Sequence, residues 1–286
     1  MIILLGAMYL MGALPASACD LQFSRSDQTF SLSPSASQLD EPLRETVSVV
    51  IRNRSDQECV FKLGFGRDAT ATDRDFPTTR VFGPAGEIRV QYVSSASYAG
   101  GAGYMLSQTI PANSDLRIAF NFAIDLDWGT RSGSYNQRFL LSLIDEATTT
   151  QTALTEINLL LDVPPAIRLR FVGNNDRLDL GALSDETTTV SPPFGLRIFS
   201  TSPYEVAVSS ENQGALVQQN GRARIPYFMK LAGRQLDLAV AADILTFANS
   251  PGRLGRVLPI IVLVPPAKNR LAGRYSDTVT VTVSTI

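Results

Sequence analysis

The chain has 286 residues and a formal net charge of −2, so its charge gives no reason to expect binding to nucleic acid or to anionic lipid. It contains no histidine, which excludes the Ser-His-Asp and Cys-His catalytic mechanisms and the common zinc sites. Only 18% of the residues are charged, whereas Thr, Ser, Val and Ala are plentiful, and that composition is typical of a secreted β-protein.

Residues 1–18 have the composition of an export signal. Residues 2–14 form an apolar run, and Ala16, Ser17 and Ala18 provide the small-residue pattern that precedes signal cleavage. The apolar run is too short for a membrane span. We therefore expect secretion through the periplasm and a mature chain that begins at Cys19.

The sequence has two cysteines, Cys19 and Cys59. Because exported thiols are oxidised, we expect these two to form a disulfide. Two alternatives remain open. Cys19 is acylated if the protein is a lipoprotein, although Ala16 stands where lipoproteins favour leucine, or else both thiols are free.

Short apolar or alternating runs follow one another along the mature chain, and such runs predict β-strands. In the first half they cover residues 46–52, 59–65, 88–93, 116–124, 139–144 and 157–163. In the second half they cover residues 167–172, 194–199, 204–208, 236–241, 258–264 and 279–283. Residues 236–244 fit a short helix as well as an edge strand. Many short strands between Gly, Pro, Asn and Asp turns predict an all-β protein made of sandwiches.

The two halves of the chain repeat one order of motifs. In each half one strand turns into the next, at residues 53–56 and again at 200–203, and a Gly-x-Tyr sequence later opens a further strand, at Gly133 and at Gly273. Pro164 and Pro165 lie between the halves, where proline interrupts ladder pairing. We therefore predict two domains after the signal, 19–164 and 165–286.

The second half is predicted to lack its last strand. After Tyr135 the first half has the strand 139–144 and then another apolar strand at 157–163. After Tyr275 the second half has only the alternating strand 279–283 before Ile286. A sheet without its last strand exposes apolar side chains and unpaired backbone groups, so we expect another chain to supply that strand.

The end of the sequence resembles a known family. Residues 272–283, Ala-Gly-Arg-Tyr-Ser-Asp-Thr-Val-Thr-Val-Thr-Val, look like the terminal signature of spore coat protein U domains, the pilin domains of archaic, Csu-type chaperone–usher pili. Residues 178–181 and 203–206 also fit that pattern, and the resemblance covers about residues 166–286. It implies immunoglobulin-like β-sandwiches, with the C-terminal one lacking its last strand. Members of this family often have a cysteine where this chain has Phe199, so no disulfide is expected in the C-terminal domain.

The resemblance also implies partners and a location. A periplasmic pilus chaperone lends the missing strand, an outer-membrane usher assembles the subunits, and the next pilin subunit then donates the strand. Shaft pilins carry a donor extension before their first cysteine. If Cys19 is the first mature residue, this chain has no such extension. The resemblance therefore implies the tip adhesin of a cell-surface pilus, which mediates surface attachment or biofilm formation through an unknown surface or receptor. A minor or adaptor pilin is the alternative within this class, and a secreted carbohydrate-binding or enzyme module with complete sandwiches is the alternative from another class.

Two sets of residues are candidates for binding. The donor-strand groove is predicted to be formed by Val279, Val281, Val283, Leu196, Ile198 and Ile286. The Gly-, Ala- and Ser-rich segment 92–105 carries Tyr98, Tyr104 and Met105 and predicts a surface-binding loop, and Phe76, in another polar stretch, is a similar candidate. The alternative for this segment is a flexible loop whose aromatic side chains fold back onto the core.

No catalytic residue, cofactor or metal site is predicted. Asp125 and Asp127 could hold calcium, as could Asp73 and Asp75, but carboxylate spacing without a full ligand loop favours solvated turns. Nothing singles out a carboxylate pair for glycoside hydrolysis. We expect Trp128 to pack between the domains. Tyr275 is expected to hydrogen bond to backbone at the start of its strand.

Overall fold

The computed structural model describes residues 19–66, 78–83, 86–92, 107–173, 177–219, 221, 223–268 and 270–286. Within these ranges the prediction of an all-β fold is confirmed. The described chain forms 22 strands, and its one helical element is the short 3-10 helix Ala36–Asp40. No helix in these ranges has the length and apolarity needed to cross a membrane.

Ten strands of the first half hydrogen bond into one sheet. They are β1 (Leu21–Phe23), β2 (Asp27–Leu32), β3 (Leu43–Asn53), β4 (Cys59–Gly66), β5 (Thr78–Gly83), β6 (Gly86–Tyr92), β7 (Gln108–Ile110), β8 (Asp115–Ile124), β9 (Gly133–Asp145) and β10 (Gln151–Val163). The order is β1-β3-β8-β6-β5-β9-β10-β2, and β4 joins through β7 and β9. Strands from both ends of this sheet fill one apolar core, so the sheet folds over on itself into two layers.

The second half forms three smaller sheets around a second apolar core. Its strands are β11 (Ile167–Val172), β12 (Thr189–Val190), β13 (Phe194–Ser200), β14 (Tyr204–Ser210), β15 (Ala215–Gln218), β16 (Arg224–Pro226), β17 (Phe228–Leu231), β18 (Arg234–Gln235), β19 (Asp243–Phe247), β20 (Arg256–Val264), β21 (Tyr275–Ser276) and β22 (Val279–Thr285). The strand orders are β11-β13-β20-β17-β18 with β12 beside β20, then β19-β14-β22, then β16-β15-β21.

The alternation along each strand explains which face is buried. In β10 the side chains of Ile157, Leu159, Leu161 and Val163 are buried, whereas the residues between them are not. Successive side chains of a strand point to opposite faces, so these four residues cover the core of the first half.

Residues 236–241 form neither the strand nor the helix that the sequence predicts. Their backbone groups bind carboxylates instead: the N–H of Asp237 donates to Oδ2 of Asp243 at 2.9 Å, and the N–H of Ala239 donates to Oδ1 of Asp237 at 3.0 Å. Side-chain acceptors of this kind compete with a ladder. Leu236 and Leu238 belong to this loop and are both buried, which explains why apolar and polar residues alternate in its sequence.

Candidate strand-accepting groove

A tyrosine occupies the same structural position in both halves. The hydroxyl of Tyr135 donates to the carbonyl oxygen of Arg131 at 2.8 Å, and the hydroxyl of Tyr275 donates to the carbonyl oxygen of Leu271 at 2.8 Å. Each bond reaches back four residues from the start of a strand, which is the tyrosine corner of immunoglobulin-like sandwiches. The strand β9 and the β21–β22 segment are therefore equivalent.

Strand β9 has ladder partners along both edges. Strand β10 pairs antiparallel with one edge, and β4 and β5 pair with the other. Strand β2 pairs in parallel with the far edge of β10. The core-facing side chains Phe139, Leu141 and Leu143 of β9 are all buried. The first half therefore contains the strand that follows its tyrosine-corner strand.

Strand β22 has a ladder partner along one edge. Among the described residues that partner is β14, which is antiparallel. Val281 and Val283 lie opposite the buried Val208 and Val206, so these valines face the core. Val279, Val281 and Val283 are nevertheless only half-buried, because no described strand covers their outer side.

The free edge of β22 also leaves backbone groups without a ladder. The N–H of Glu211 donates to the carbonyl of Thr278 at 2.9 Å, and the N–H of Ile286 donates to the carbonyl of Pro203 at 3.0 Å. Hydrogen-bonded and non-hydrogen-bonded pairs alternate along an antiparallel ladder, so the even-numbered residues direct their backbone groups to β14. The N–H and C=O groups that point to the free edge are those of Val279, Val281, Val283 and Thr285.

Strand β11 provides a second free edge. In the described structure it pairs with β13 alone, where Leu169 lies opposite Ile198 and Phe171 lies opposite Leu196. These side chains face the core, yet Ile167 and Leu169 are only half-buried and Phe171 is 47% exposed. We call the space between the two free edges the strand-accepting groove, and its walls are Ile167, Leu169, Phe171, Val279, Val281 and Val283.

The two edges of the groove have the geometry that surrounds β10 in the first half. The start of β11 lies beside Ser200 and the end of β22 lies beside Tyr204, so β11 and β22 run antiparallel. Strands β2 and β9 are likewise antiparallel on either side of β10. Cα atoms of β11 and β22 come within 8 Å without forming a ladder. A strand that pairs with both edges would hold them roughly 9.5 Å apart, so its entry must part them slightly.

The structure distributes the predicted groove residues over three environments. Val279, Val281 and Val283 line the groove. Leu196 and Ile198 are 0% exposed on β13 and lie on its floor, below the reach of an incoming backbone. Ile286 is 65% exposed, and as an even-numbered residue it follows the face opposite to the valines. The expectation that Ile286 lines the groove is therefore corrected by the strand's period of two.

Sequence reasoning missed the β11 wall of the groove. Its signal is the Ile-Arg-Leu-Arg-Phe-Val sequence of Ile167–Val172, where apolar residues alternate with arginines. That alternation predicts a strand with one buried face but does not reveal that the strand lies at an edge.

The predicted surface-binding loop lies outside the described residues, and this holds for Tyr98, Tyr104, Met105 and Phe76. The predicted disulfide partners lie within them. Cys19 and Cys59 are bonded, with their Cα atoms 5.9 Å apart, and the bond joins the start of the first half to β4. The described residues contain no cluster of three or more His, Cys, Asp or Glu side chains that could hold a metal ion.

An aromatic and charged cluster joins the two halves. The guanidinium of Arg168 lies 4.6 Å from the ring centroid of Trp128 and 4.7 Å from that of Phe199. Asp40 accepts hydrogen bonds from Arg168 and from the indole N–H of Trp128. The hydrogen bond from Arg168 holds the pKa of the Asp40 carboxyl below its usual value, and the bond from Trp128 adds to this effect. Trp128 thus packs between the halves as predicted, whereas the stacked arginine was not foreseen.

Comparison with known proteins gives a likeness of structure only. No family model matches the sequence, and no curated protein matches it. A chain of the CsuC–CsuE chaperone–tip adhesion subunit complex of Acinetobacter baumannii Csu pili is similar at 14% identity and a TM-score of 0.47, covering 93% of this chain and 99% of that chain. CfaE, the adhesive subunit of CFA/I fimbria of enterotoxigenic Escherichia coli, matches at 14% identity and a TM-score of 0.43, covering 90% and 92% of the two chains.

A third similar structure is the CupB6 tip adhesin of Pseudomonas aeruginosa. It has 10% identity and a TM-score of 0.38, and the match covers 93% of this chain and 94% of that chain. At these values the likeness carries no information about function, which has to come from the geometry of the groove.

Proposed function

We propose that this protein accepts a β-strand from other chains in the strand-accepting groove, and that it is the tip adhesin of a chaperone–usher pilus. The observation that carries the proposal is the contrast between two equivalent strands. Strand β9 is covered by β10 and its core residues are buried, whereas β22 has a free edge and half-buried valines. A strand in the groove removes this difference.

The mechanism is β-strand addition. Main-chain hydrogen bonds to the free edges give strength, and alternate side chains of the incoming strand fill the core. By analogy with β10, the strand runs antiparallel to β22 and parallel to β11. Its apolar residues are spaced by two, because a shift of one residue turns its side chains out of the groove.

The proposed partners follow from the need to cover the groove at every stage. Apolar side chains and backbone groups left free at a sheet edge promote aggregation. A periplasmic pilus chaperone lends a strand first, the outer-membrane usher receives the complex, and the next pilin subunit supplies the permanent strand. In this scheme residues 165–286 are the pilin domain and residues 19–164 are the adhesin domain, exposed on a cell-surface pilus.

The tip position is supported by how the start of the described chain is used. Cys19 is bonded to Cys59, and Leu21 is buried in β1, which pairs with β3. These residues stabilise their own domain and are not free to enter the groove of a neighbour. With cleavage before Cys19, the subunit accepts a strand and donates none, as the first subunit of a pilus must.

Thermal unfolding of a strand fusion tests the proposal. A short turn and a strand with alternating apolar residues are fused after Ile286, and the matched control carries the same residues with the alternation shifted by one. We expect the first fusion to be monomeric and to unfold at a higher temperature than the unfused chain, because an occupied groove stabilises the folded state. The shifted fusion should behave as the unfused chain does.

The same experiment separates the competing functions. An unfused chain that is monomeric and melts with the fusion has complete sandwiches, which would refute strand acceptance and favour a secreted carbohydrate-binding module. A chain that gains stability from the fusion but is found along the pilus by immunogold labelling is a minor or adaptor pilin.

A further inference from the structure

Asp145, at the end of β9, is a buried carboxylate without a cationic side chain. It is 1% exposed. Its Oδ1 accepts a hydrogen bond from the N–H of Ala147 at 2.9 Å, and its Oδ2 accepts one from the N–H of Cys19 at 3.4 Å. No lysine or arginine of the described ranges forms an ion pair with it. Peptide N–H groups supply hydrogen bonds but no net charge, and a buried carboxylate is stable when a positive charge compensates it.

The nitrogen of Cys19 is held beside this carboxylate by independent constraints. The disulfide ties Cys19 to Cys59 on β4, and β4 pairs with β9 so that Phe61 lies opposite Asp145. Two residues after Cys19, β1 begins to pair with β3. The position of the nitrogen therefore follows from the fold and does not depend on what precedes it.

The other charged groups near this site have partners or lie in solvent. The ammonium of Lys62, on β4, lies 3.0 Å from the carboxylate of Glu146. Asp20, next to Cys19, is exposed and accepts a hydrogen bond from the side chain of Gln22 at 3.0 Å. Lys62 therefore forms its ion pair with Glu146 and not with Asp145, and Asp20, itself an acid, supplies no positive charge.

We propose that Asp145 is the receptor for the mature amino terminus: the chain is cleaved before Cys19, and the new α-ammonium group forms a buried ion pair with Asp145. A peptidase adds water across the bond between Ala18 and Cys19. Ala18 leaves with the new carboxylate, and the nitrogen of Cys19 becomes an amine that is protonated at neutral pH. A hydrogen bond from a neutral amide thereby becomes a charge-assisted one at the same place.

The ion pair with Asp145 requires cleavage immediately before Cys19. An extension before Cys19 keeps the nitrogen neutral and moves the terminal charge into solvent, away from Asp145. Lipid attachment at Cys19 would use the thiol and acylate the amine, whereas the structure uses the thiol for a disulfide and places the nitrogen against a carboxylate. The inference requires export but does not depend on the groove.

Competitive labelling of the exported full-length protein tests the inference. The protein is purified from the periplasm, treated with a trace of acetic anhydride at neutral pH, and digested, so that acetylation of the Cys19 α-amine is read against Lys62 and Lys230 in the same molecule. We expect the chain to start at Cys19 and its α-amine to react several-fold faster in Asp145→Asn than in the wild type. Asp20→Asn is the control for a nearby exposed carboxylate and should leave the rate unchanged.

A second variant keeps the test decisive where Asp145→Asn fails to fold. Insertion of Gly-Ser between Ala18 and Cys19 should give an α-amine that reacts as fast as that of an unstructured peptide, together with a lower unfolding temperature. A first residue other than Cys19, an acylated terminus, or an α-amine that reacts at the same rate in the wild type and both variants would overturn the proposal. If the chain unfolds at the same temperature with and without a fused strand, the proposal of strand acceptance is refuted. The labelling rates of the Cys19 α-amine do not depend on that result.

Discussion

Val281 lies at the middle of β22, opposite the buried Val208, with its backbone groups directed to the free edge. Replacing it with Asp places an unpaired charge where an incoming strand must close over the core. In the strand fusion, Val281→Asp should abolish the rise in unfolding temperature. The matched control is Thr282→Asp, since Thr282 is exposed on the opposite face of the same strand. An equal loss in both variants would show that charge on β22, and not its groove face, is responsible.

The tyrosine corners offer a second comparison at single residues. Tyr135 is buried, and Tyr275 is partly exposed. Each tyrosine-to-phenylalanine change removes one hydrogen bond, worth about 1 kcal/mol of the free energy of unfolding. Tyr135→Phe should cost more, because water can replace the lost donor near Tyr275 but not near Tyr135. Urea unfolding measures both losses, and a larger loss in Tyr275→Phe than in Tyr135→Phe would contradict the expectation that burial sets the cost.

Burial also sets the pH range of the Tyr135 contribution. Removal from water raises the pKa of its hydroxyl above the ordinary value of about 10. A raised pKa in the folded state means that the contribution is fully present below pH ~10 and is lost as pH rises through the folded-state pKa. The difference in stability between the wild type and Tyr135→Phe should therefore be constant around neutral pH.

The disulfide ties β4 to Cys19, the first described residue, over a sequence separation of 40 residues. A cross-link of this kind restricts the unfolded chain and stabilises a protein by about 2–4 kcal/mol. Replacing Cys19 and Cys59 together with serine should lower the free energy of unfolding by that amount. Intact mass with and without reduction and alkylation is the control, and two free thiols in the purified wild type would contradict the prediction.

A strand's role can be predicted from the sequence only where neighbouring residues in the sequence determine it. The valines of β22 were assigned to the groove because a period of two is visible in any short stretch of sequence. The β11 wall was missed because Ile167–Val172 alternates in the same way as a fully covered strand. Its edge position arises from pairings with residues far along the chain, and these leave no mark on a local pattern.

At residues 236–241 the sequence pattern predicts a strand that the structure does not form. Leu236 and Leu238 alternate because both are buried, but the backbone of Asp237 and Ala239 binds carboxylates and forms no ladder. Periodicity reports which side chains are buried and does not report where the backbone hydrogen bonds go.

The proposed function requires a binding surface in addition to the strand-accepting groove. The candidates are Tyr98, Tyr104 and Met105, in a Gly-rich segment of the first half. Replacing all three with serine should reduce surface attachment while pili assemble normally, since rigid aromatic side chains supply contact area at low entropic cost. Biofilm mass and pilus number by electron microscopy measure the two effects. Normal attachment with normal pili would refute the loop, and loss of folding would favour aromatic side chains that belong to the core.

In the proposed tip adhesin, a load would pass from one half of the molecule to the other through the cluster of Arg168, Trp128, Phe199 and Asp40. Arg168 of β11 stacks on Trp128 and Phe199 and binds Asp40, so the strand that forms one groove wall is linked to the first half through this side chain. A partly buried cation–π contact is worth about 1–2 kcal/mol, and lysine cannot reproduce the flat stacking of a guanidinium. Both Arg168→Lys and Arg168→Ala should therefore loosen the junction.

Trp128 reports this loosening directly, because it is the single tryptophan of the sequence and is buried in the cluster. In both Arg168 variants its fluorescence should shift to longer wavelength and be quenched more strongly by acrylamide, well below the temperature of global unfolding. Arg170→Ala is the matched control, since Arg170 is an exposed arginine of the same strand whose guanidinium lies 6.0 Å from the Phe199 ring. Because Arg168 lies on β11 between the wall residues Ile167 and Leu169, occupation of the groove by the fused strand should reduce the quenching in Arg168→Lys. Unchanged fluorescence in both Arg168 variants would mean that the halves are held together without this cluster.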